Sequence, residues 1–318
     1  MKLLSYRALL IVISFFLIAC SEQNRTPLSV GTNLWPGYEP LYVAKTADLW
    51  DNKRIKMVEF TSASEVIRAF RNGTLDVAAL TLDEAISLMA DQPDTQIILG
   101  TDFSDGGDVV IAQAEIKEAA QLKGKRVGVE STALGAYMLT RFLEENGLSP
   151  ADVVPVYLQV NEHFKAFQSK AVDAVVTFDP VRAELLKGPA NILFSSADIP
   201  QEVVDVLVAS AGAIATKSEQ IQMLVQGWSR SIEFIRDKPD IAYSMMMPRL
   251  GMTHDELLES LTSLHLLDAA ENKSFLGGEQ ALVNNIALKV QSVMLMNKLL
   301  QNPVFKEKNI YSEFVDAL

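Results

Sequence analysis

A two-lobed α/β chain closed by a helical C-terminal tail is the fold class that this 318-residue sequence predicts. Three observations predict it. Short apolar runs alternate with amphipathic stretches twice over, once between residues 28 and 99 and again between 127 and 194; strand, helix, strand repeated is the signature of a parallel sheet covered by helices. A polar, glycine-paired break, Thr101-Asp102-Phe103-Ser104-Asp105-Gly106-Gly107-Asp108, separates the two sets, and from Lys217 onward the pattern is nearly all helical. At roughly 150 residues per domain the length fits about two domains, and 49% hydrophobic residues is a normal share for a chain that buries a sizeable core.

The first element is an export signal. Lys2 and Arg7 flank the start of an apolar run over 8–19, shorter than the about 20 residues a bilayer requires. A positive start with a small residue before the cut is the signal-peptide pattern, so residues 1–19 are expected to be removed. The one cysteine stands directly after Leu17-Ile18-Ala19. That run resembles a bacterial lipobox, which implies lipid on Cys20 and attachment to a membrane through it. A plain signal peptide or an uncut anchor leaves the position of Cys20 without a reason. The mature chain would have 299 residues at a formal charge of −14. Residues 20–27 lack apolar periodicity and end in Pro27, as a flexible tether does. Ser21 stands where such lipoproteins carry an aspartate for retention in the inner membrane, so the outer membrane is open to this chain.

In the first set, residues 28–32, 55–60, 75–80 and 96–99 read as strands. Ser62-Ala63-Ser64-Glu65 fits a capping box, with Ser62 offered to the helix amides and Glu65 reaching back; Val66, Ile67 and Phe70 then form one face before Gly73 ends the helix. Asp83 is expected to cap the stretch carrying Ala85, Ile86 and Met89. After the break, 109–112 reads as an extended crossing. The second set has strands at 127–129, 153–160, 174–178 and 192–194, with helices at 133–146, closed by Gly147, and at 162–170. A return crossing fits 206–215. Two crossings make the first lobe discontinuous, 28–108 plus 210–318, around a second lobe of 109–209, with a cleft between them that closes on a ligand by hinge motion. In the tail, Ile221, Leu224, Val225 and Trp228, then Leu257, Leu258 and Leu261, then 283–300 keep helical spacing, and no strand pattern returns. Tyr243-Ser244-Met245-Met246-Met247-Pro248 reads as core packing before a proline stop, since consecutive helical residues point in different directions and cannot converge on a metal.

Composition excludes several functions. Forty acidic against 28 basic residues give a formal charge of −12; with no Lys/Arg-rich run, nucleic acid is not an expected partner. One cysteine forms no internal disulfide and no zinc or iron–sulfur cluster. His163, His254 and His265 are dispersed, so no metal is expected. The sequence has no Gly-x-Ser-x-Gly, His-Glu-x-x-His, phosphate loop or Gly-x-Gly-x-x-Gly, and neither a cofactor nor a catalytic residue is expected.

The run Gly31-Thr32-Asn33-Leu34-Trp35-Pro36-Gly37-Tyr38-Glu39-Pro40-Leu41-Tyr42-Val43-Ala44, followed by Asp76-Val77-Ala78-Ala79, Leu122-Lys123-Gly124-Lys125-Arg126-Val127-Gly128-Val129 and Val172-Asp173-Ala174-Val175, resembles the nitrate/sulfonate/taurine and thiamine-precursor group of periplasmic binding proteins. The order of these motifs agrees with that group over roughly residues 29–215, and the tail matches in type. The resemblance implies a type II periplasmic binding protein fold, a monomer that binds a small molecule, and a permease of an ABC importer as partner. A membrane signalling receptor is the alternative partner for the same closed form. The eukaryotic thiamine-pyrimidine synthase shares the resembled fold, but this chain lacks its cysteine-rich iron motif.

In open α/β sheets ligands sit beyond the carboxyl ends of strands, where helix N-termini present free amides. That rule and the resemblance together give the candidate ligand residues: Trp35, Pro36 and Tyr38 (with Gly37) after the first strand, Ser62 after the second, Thr81 and Asp83 after the third. At the crossing come Ser104, Asp105 and Asp108; in the second lobe, Glu130, Ser131, Thr132, Phe178 and Asp179. Each has a second reading: Trp35 as core, Ser62, Asp83, Ser131 or Thr132 as caps, Glu130 as a solvated strand end, Asp179 as a helix start before Pro180, Asp105 and Asp108 as hinge hydrogen-bonders. Asp83, Asp105, Asp108, Glu130 and Asp179 face one nearby base, Arg182. An acidic cleft favours a ligand offering N–H or ammonium groups over nitrate or sulfonate, so a nitrogen-bearing small organic such as an amine or aminopyrimidine is expected.

Overall fold

The computed structural model describes residues 26–130, 133–278 and 281–318. The expected signal segment, Cys20 and residues 21–25 of the tether lie outside the described residues, as do Ser131 and Thr132. Two sheets organise the rest. The first has the strand order β11-β4-β10-β3-β1-β2, from β1 (Leu28–Thr32), β2 (Ile55–Glu59), β3 (Val77–Thr81), β4 (Gln96–Ser104), β10 (Val204–Ala209) and β11 (Leu264–Leu266). The second has the order β7-β6-β8-β5-β9, from β5 (Val109–Gln113), β6 (Arg126–Val129), β7 (Val154–Tyr157), β8 (Ala174–Thr177) and β9 (Ala190–Ser195). Both sheets are mixed. β1 pairs in parallel with β2 and β3, and β6 with β7 and β8, whereas β10 runs antiparallel to β3 and β4, and β5 antiparallel to β8 and β9. The expectation of parallel sheets therefore held only for the βαβ units. The strands that carry the chain between sheets, β5 and β10, enter against the direction of their neighbours.

The helices follow from local rules. Ser62 caps α2 (Ala63–Arg71), accepting from Glu65 N at 3.4 Å, while Glu65 reaches back to Thr61 N and Oγ1 at 3.2 and 2.8 Å, one residue beyond the expected box. α3 (Leu82–Asp91) is entered at Thr81, whose N–H donates to Glu84 Oε2 at 3.2 Å. Thr81, and not Asp83, is thus the N-cap, because the strand ends one residue later than the apolar run does. α1 (Glu39–Thr46) covers the first sheet, and its buried Glu39 accepts from Arg249 Nε at 3.1 Å. In the second unit α4 (Ala133–Glu145) and α5 (Val160–Gln168) lie near the expected places, α5 starting at the end of the stretch read as a strand, and a short α6 (Val181–Leu186) follows Asp179 and Pro180.

The tail, α7 (Ala211–Asp237), α8 (Pro239–Leu250), α9 (His254–Thr262), α10 (Ala269–Leu276), α11 (Leu282–Met296) and α12 (Glu313–Asp316), packs largely on the first sheet. It is not strand-free: β11 adds an edge to β4 with His265 opposite Phe103, a three-residue run too short to show periodicity. Pro248 is not a stop either, since α8 continues to Leu250 and ends at Gly251 in the left-handed conformation (φ 66°) that glycine adopts without strain. Buried Asn272 ties α10 to β4, accepting from Gly100 N at 2.8 Å and donating to Gly100 O at 3.0 Å.

The chain passes between the sheets twice, at 105–108 and at 196–203. The return crossing expected at 206–215 is displaced, because β10, which the sequence assigns to the second lobe, pairs in the first sheet. The two crossings are bonded side by side. Ser104 and Ser196 hydroxyls lie 2.8 Å apart, Gly106 N donates to Ser196 Oγ at 2.7 Å, and Ser196 N donates to Asp108 O at 2.9 Å. Among the described residues no helix is long and apolar enough to cross a membrane.

Candidate functional site

A narrow cleft, with about 310 Å³ of empty space when the part open to solvent is counted, lies between the two units, lined by Asn33, Trp35, Tyr38, Ala63, Thr81, Glu84, Asp108, Glu130, Leu134, Phe178 and Asp205. It opens where β1, β3, β6 and β8 end, as the strand-end rule requires. Trp35-Pro36-Gly37-Tyr38 leaves β1 in a tight 3₁₀ turn, Pro36–Tyr38, that buries both aromatics. Trp35 Nε1 donates to Asp102 Oδ1 at 3.3 Å, and its ring meets Phe178 edge-on with centroids 5.5 Å apart. Tyr38 donates its hydroxyl proton to Asp205 Oδ1. Trp35 comes from the first unit and Phe178 from the second, so this contact brings the two walls together.

Glu130 spans the same gap. It follows β6 in the second unit, and its Oε1 accepts from Ser64 N at 3.3 Å and Ser64 Oγ at 2.9 Å, at the N-terminus of α2 in the first. The free amides and positive end of a helix suit a carboxylate. Burial still pushes the Glu130 carboxyl upward, with Ser64 and Ser62 pulling the other way.

The structure gathers some predicted residues and releases others. Trp35, Tyr38, Thr81, Asp108, Glu130 and Phe178 line the cleft. Pro36 and Ser62 are buried next to it, shaping the turn and capping α2. Ser104 belongs to the hinge. Asp105 is corrected: it is exposed and points its amide at Ser263 O, 2.8 Å away, outside the cleft. Asp179 is also corrected. It binds Arg182 Nη2 at 2.9 Å and Ala183 N at 3.0 Å, so it starts α6 and neutralises the one base expected to face the acids. Asp83 is buried behind the cleft, its carboxyl pushed up to about 6 by burial, with Thr81 and helix amides opposing.

Asp205, Asp102 and Glu84 were missed. The strand-end rule scans carboxyl ends, and Asp205 stands at the amino end of antiparallel β10, where it is register partner to both Thr81 of β3 and Asp102 of β4. A charged residue inside the apolar run Val203-Val204-Asp205-Val206 was the available signal. The excess of buried carboxyls survives with a changed membership: Glu84, Asp108, Glu130 and Asp205 line the cleft. Burial pushes Asp108 and Asp102 up to about 7 and Asp205 well above the ordinary carboxyl value. Among the described residues, no group of three or more His, Cys, Asp or Glu is placed to hold a metal ion.

Two α/β units, two bonded crossings and a cleft at the strand ends define the periplasmic binding protein fold. The chain belongs to the NMT1-like family, whose profile matches residues 21–246. A protein of Escherichia coli (strain K12) named for binding aliphatic sulfonates is 28% identical over 251 residues, 76% of this chain and 77% of that one. The alkanesulfonate-binding protein of Xanthomonas axonopodis pv. citri, solved with MOPS bound, superposes with a TM-score of 0.77 at 18% identity, covering 90% of this chain and 98% of that chain. The desulfurization enzyme DSZB superposes at 0.67 with 17% identity, covering 91% and 98%, so the fold by itself does not separate binding from catalysis.

Proposed function

We propose that this protein is a solute-binding protein of an ABC-type importer, exported, held to a membrane by lipid on Cys20, and closing on a small nitrogen-bearing organic cation that it releases unaltered to a membrane permease. The kinship with a sulfonate-binding relative supports the class of protein. The lining supports capture without chemistry: its polar side chains are carboxyl, amide, hydroxyl and indole groups, and no Cys, His or Lys stands among the described lining residues. The observation that carries the ligand class is the acid excess. Four carboxyls line the cleft, and Arg182, the base that acts on Asp108, is bound to Asp179 and to Gly106 O. A sulfonate would bring a fixed negative charge to that wall, whereas an ammonium or protonated ring nitrogen meets acceptors, with Trp35, Tyr38 and Phe178 to cover its apolar body.

A thermal-shift screen of the full chain against amines, aminopyrimidines, amino acids, sulfonates and nitrate tests this. A ligand at 100 times its dissociation constant stabilises by about 2.7 kcal/mol, a shift readily seen in Tm. The expected hits are amines or aminopyrimidines. A response confined to sulfonates or nitrate overturns the ligand class.

A further inference from the structure

We propose that Asp102 and Asp205 are a specificity-determining pair in this cleft: they retain a proton between them while the site is empty and lose it to water when a cationic nitrogen enters against Asp205. The inference rests on the reading of the ligand as a cation. Its basis is a juxtaposition. The two aspartates are register partners on adjacent antiparallel strands, beside a register shift at Asp205/Val206; register partners put their side chains on one face, and the charge of Asp102 acts on Asp205. Both are buried, and neither has an ion-pair partner among the described residues. Each holds one aromatic wall of the cleft, Asp102 the Trp35 indole and Asp205 the Tyr38 hydroxyl.

Two like charges this close and this dry do not both ionise without a cation. The groups facing them deepen that constraint. Tyr38 and Trp35 approach from the turn after β1, Thr101 donates to Asp102 Oδ2 at 3.1 Å, and Glu84 faces Asp205 from α3. Asp108 comes from the crossing; Asp83 and Asp179 push its carboxyl further up, while Arg182 pulls it down. Asp108 Oδ2 is buried with no hydrogen-bond partner, on a side chain that lines the cleft; it is the acceptor already waiting for a donor. A cation supplies the missing positive charge, the pair's proton passes to water, and the net charge of the site stays constant. A neutral or anionic solute cannot make that exchange, which is how the pair selects.

The ligand-free full chain and its Asp102→Asn and Asp205→Asn variants test the retained proton by infrared spectroscopy of the protonated carboxyl. The expected result is a wild-type absorption that titrates away near neutral pH, of which one component is lost or shifted to another pH in both variants while the part due to Asp83 and Asp108 stays common to all three. A band absent from the wild type, or identical in all three, overturns the proposal. Calorimetry with benzylammonium in buffers of different ionisation heat then counts protons. One proton released by the wild type and none by Asp205→Asn is expected, with wild-type affinity falling about tenfold per pH unit on the acid side. Benzylammonium binding without proton release overturns the pair's role and leaves the cation reading standing. Sulfonate binding in its place overturns that reading.

Discussion

A methyl group at residue 37 has no room. A Cβ there would lie 2.1 Å from Asp102 Oδ2 and 2.4 Å from Trp35 Nε1, so Gly37 is the residue that lets the turn after β1 fold the indole onto the aspartate. Gly37→Ala must push Trp35 or Asp102 aside. Overpacking of this kind costs about 1–3 kcal/mol, and urea unfolding should show that loss together with weakened ligand binding; wild-type values for both would contradict the packing. Trp35 and Tyr38 were legible in the sequence because they follow an unmistakable strand next to Pro36 and Gly37. Asp205 was not, because its part in the site depends on β10 lying antiparallel beside β3, a fact of tertiary pairing that no local spacing carries.

Among the elements, α2 is one on which both units converge. Its N-terminus is capped from within by Ser62 and from across the cleft by Glu130, through Ser64. Within-helix capping was readable from Ser-x-x-Glu, while the cross-cleft contact was not, since residues 64 and 130 belong to different sheets. A hydrogen bond to a charged group contributes about 1.5–3 kcal/mol; desolvation of Glu130 offsets part of it. Glu130→Ala should therefore leave folding intact and release the walls. A bias of about 1 kcal/mol changes the closed-to-open ratio roughly fivefold. Small-angle scattering should record a larger radius of gyration for ligand-free Glu130→Ala than for the wild type, and an equal radius would remove Glu130 from the closure mechanism. The same logic explains why β11 and the place of β10 escaped the sequence reading. Both owe their pairing to partners far along the chain, β4 for the one and β3 with β4 for the other.

For the whole molecule, the buried acids set how stability varies with pH. Asp83, Asp102 and Asp108 are pushed up to about 6, 7 and 7, and Asp205 in the same direction, all chiefly by burial. In the unfolded chain an aspartate ionises near about 4. Between those values the folded protein keeps protons that the unfolded chain has lost, so stability is fully present below about pH 4 on this account and is lost as pH rises through about 7. His163 opposes it at the acid end. Burial pushes its imidazole down to about 4, so from about pH 4 to about 6.5 the unfolded chain binds the extra proton and stability rises with pH. Several carboxyls outweigh one imidazole, and above about pH 6.5 only the carboxyls act, at up to about 1.4 kcal/mol per pH unit for each proton. The ligand-free protein should thus melt at a higher temperature near about pH 5 than near about pH 8, with the steepest loss around neutrality and a shallower slope in Asp205→Asn. A saturating organic cation should flatten that loss, because it compensates the charges that ionisation exposes. Calorimetric scans across this range settle the matter: a melting temperature that climbs from pH 5 to pH 8 without ligand would mean that the carboxyls of the cleft are ionised in the empty protein.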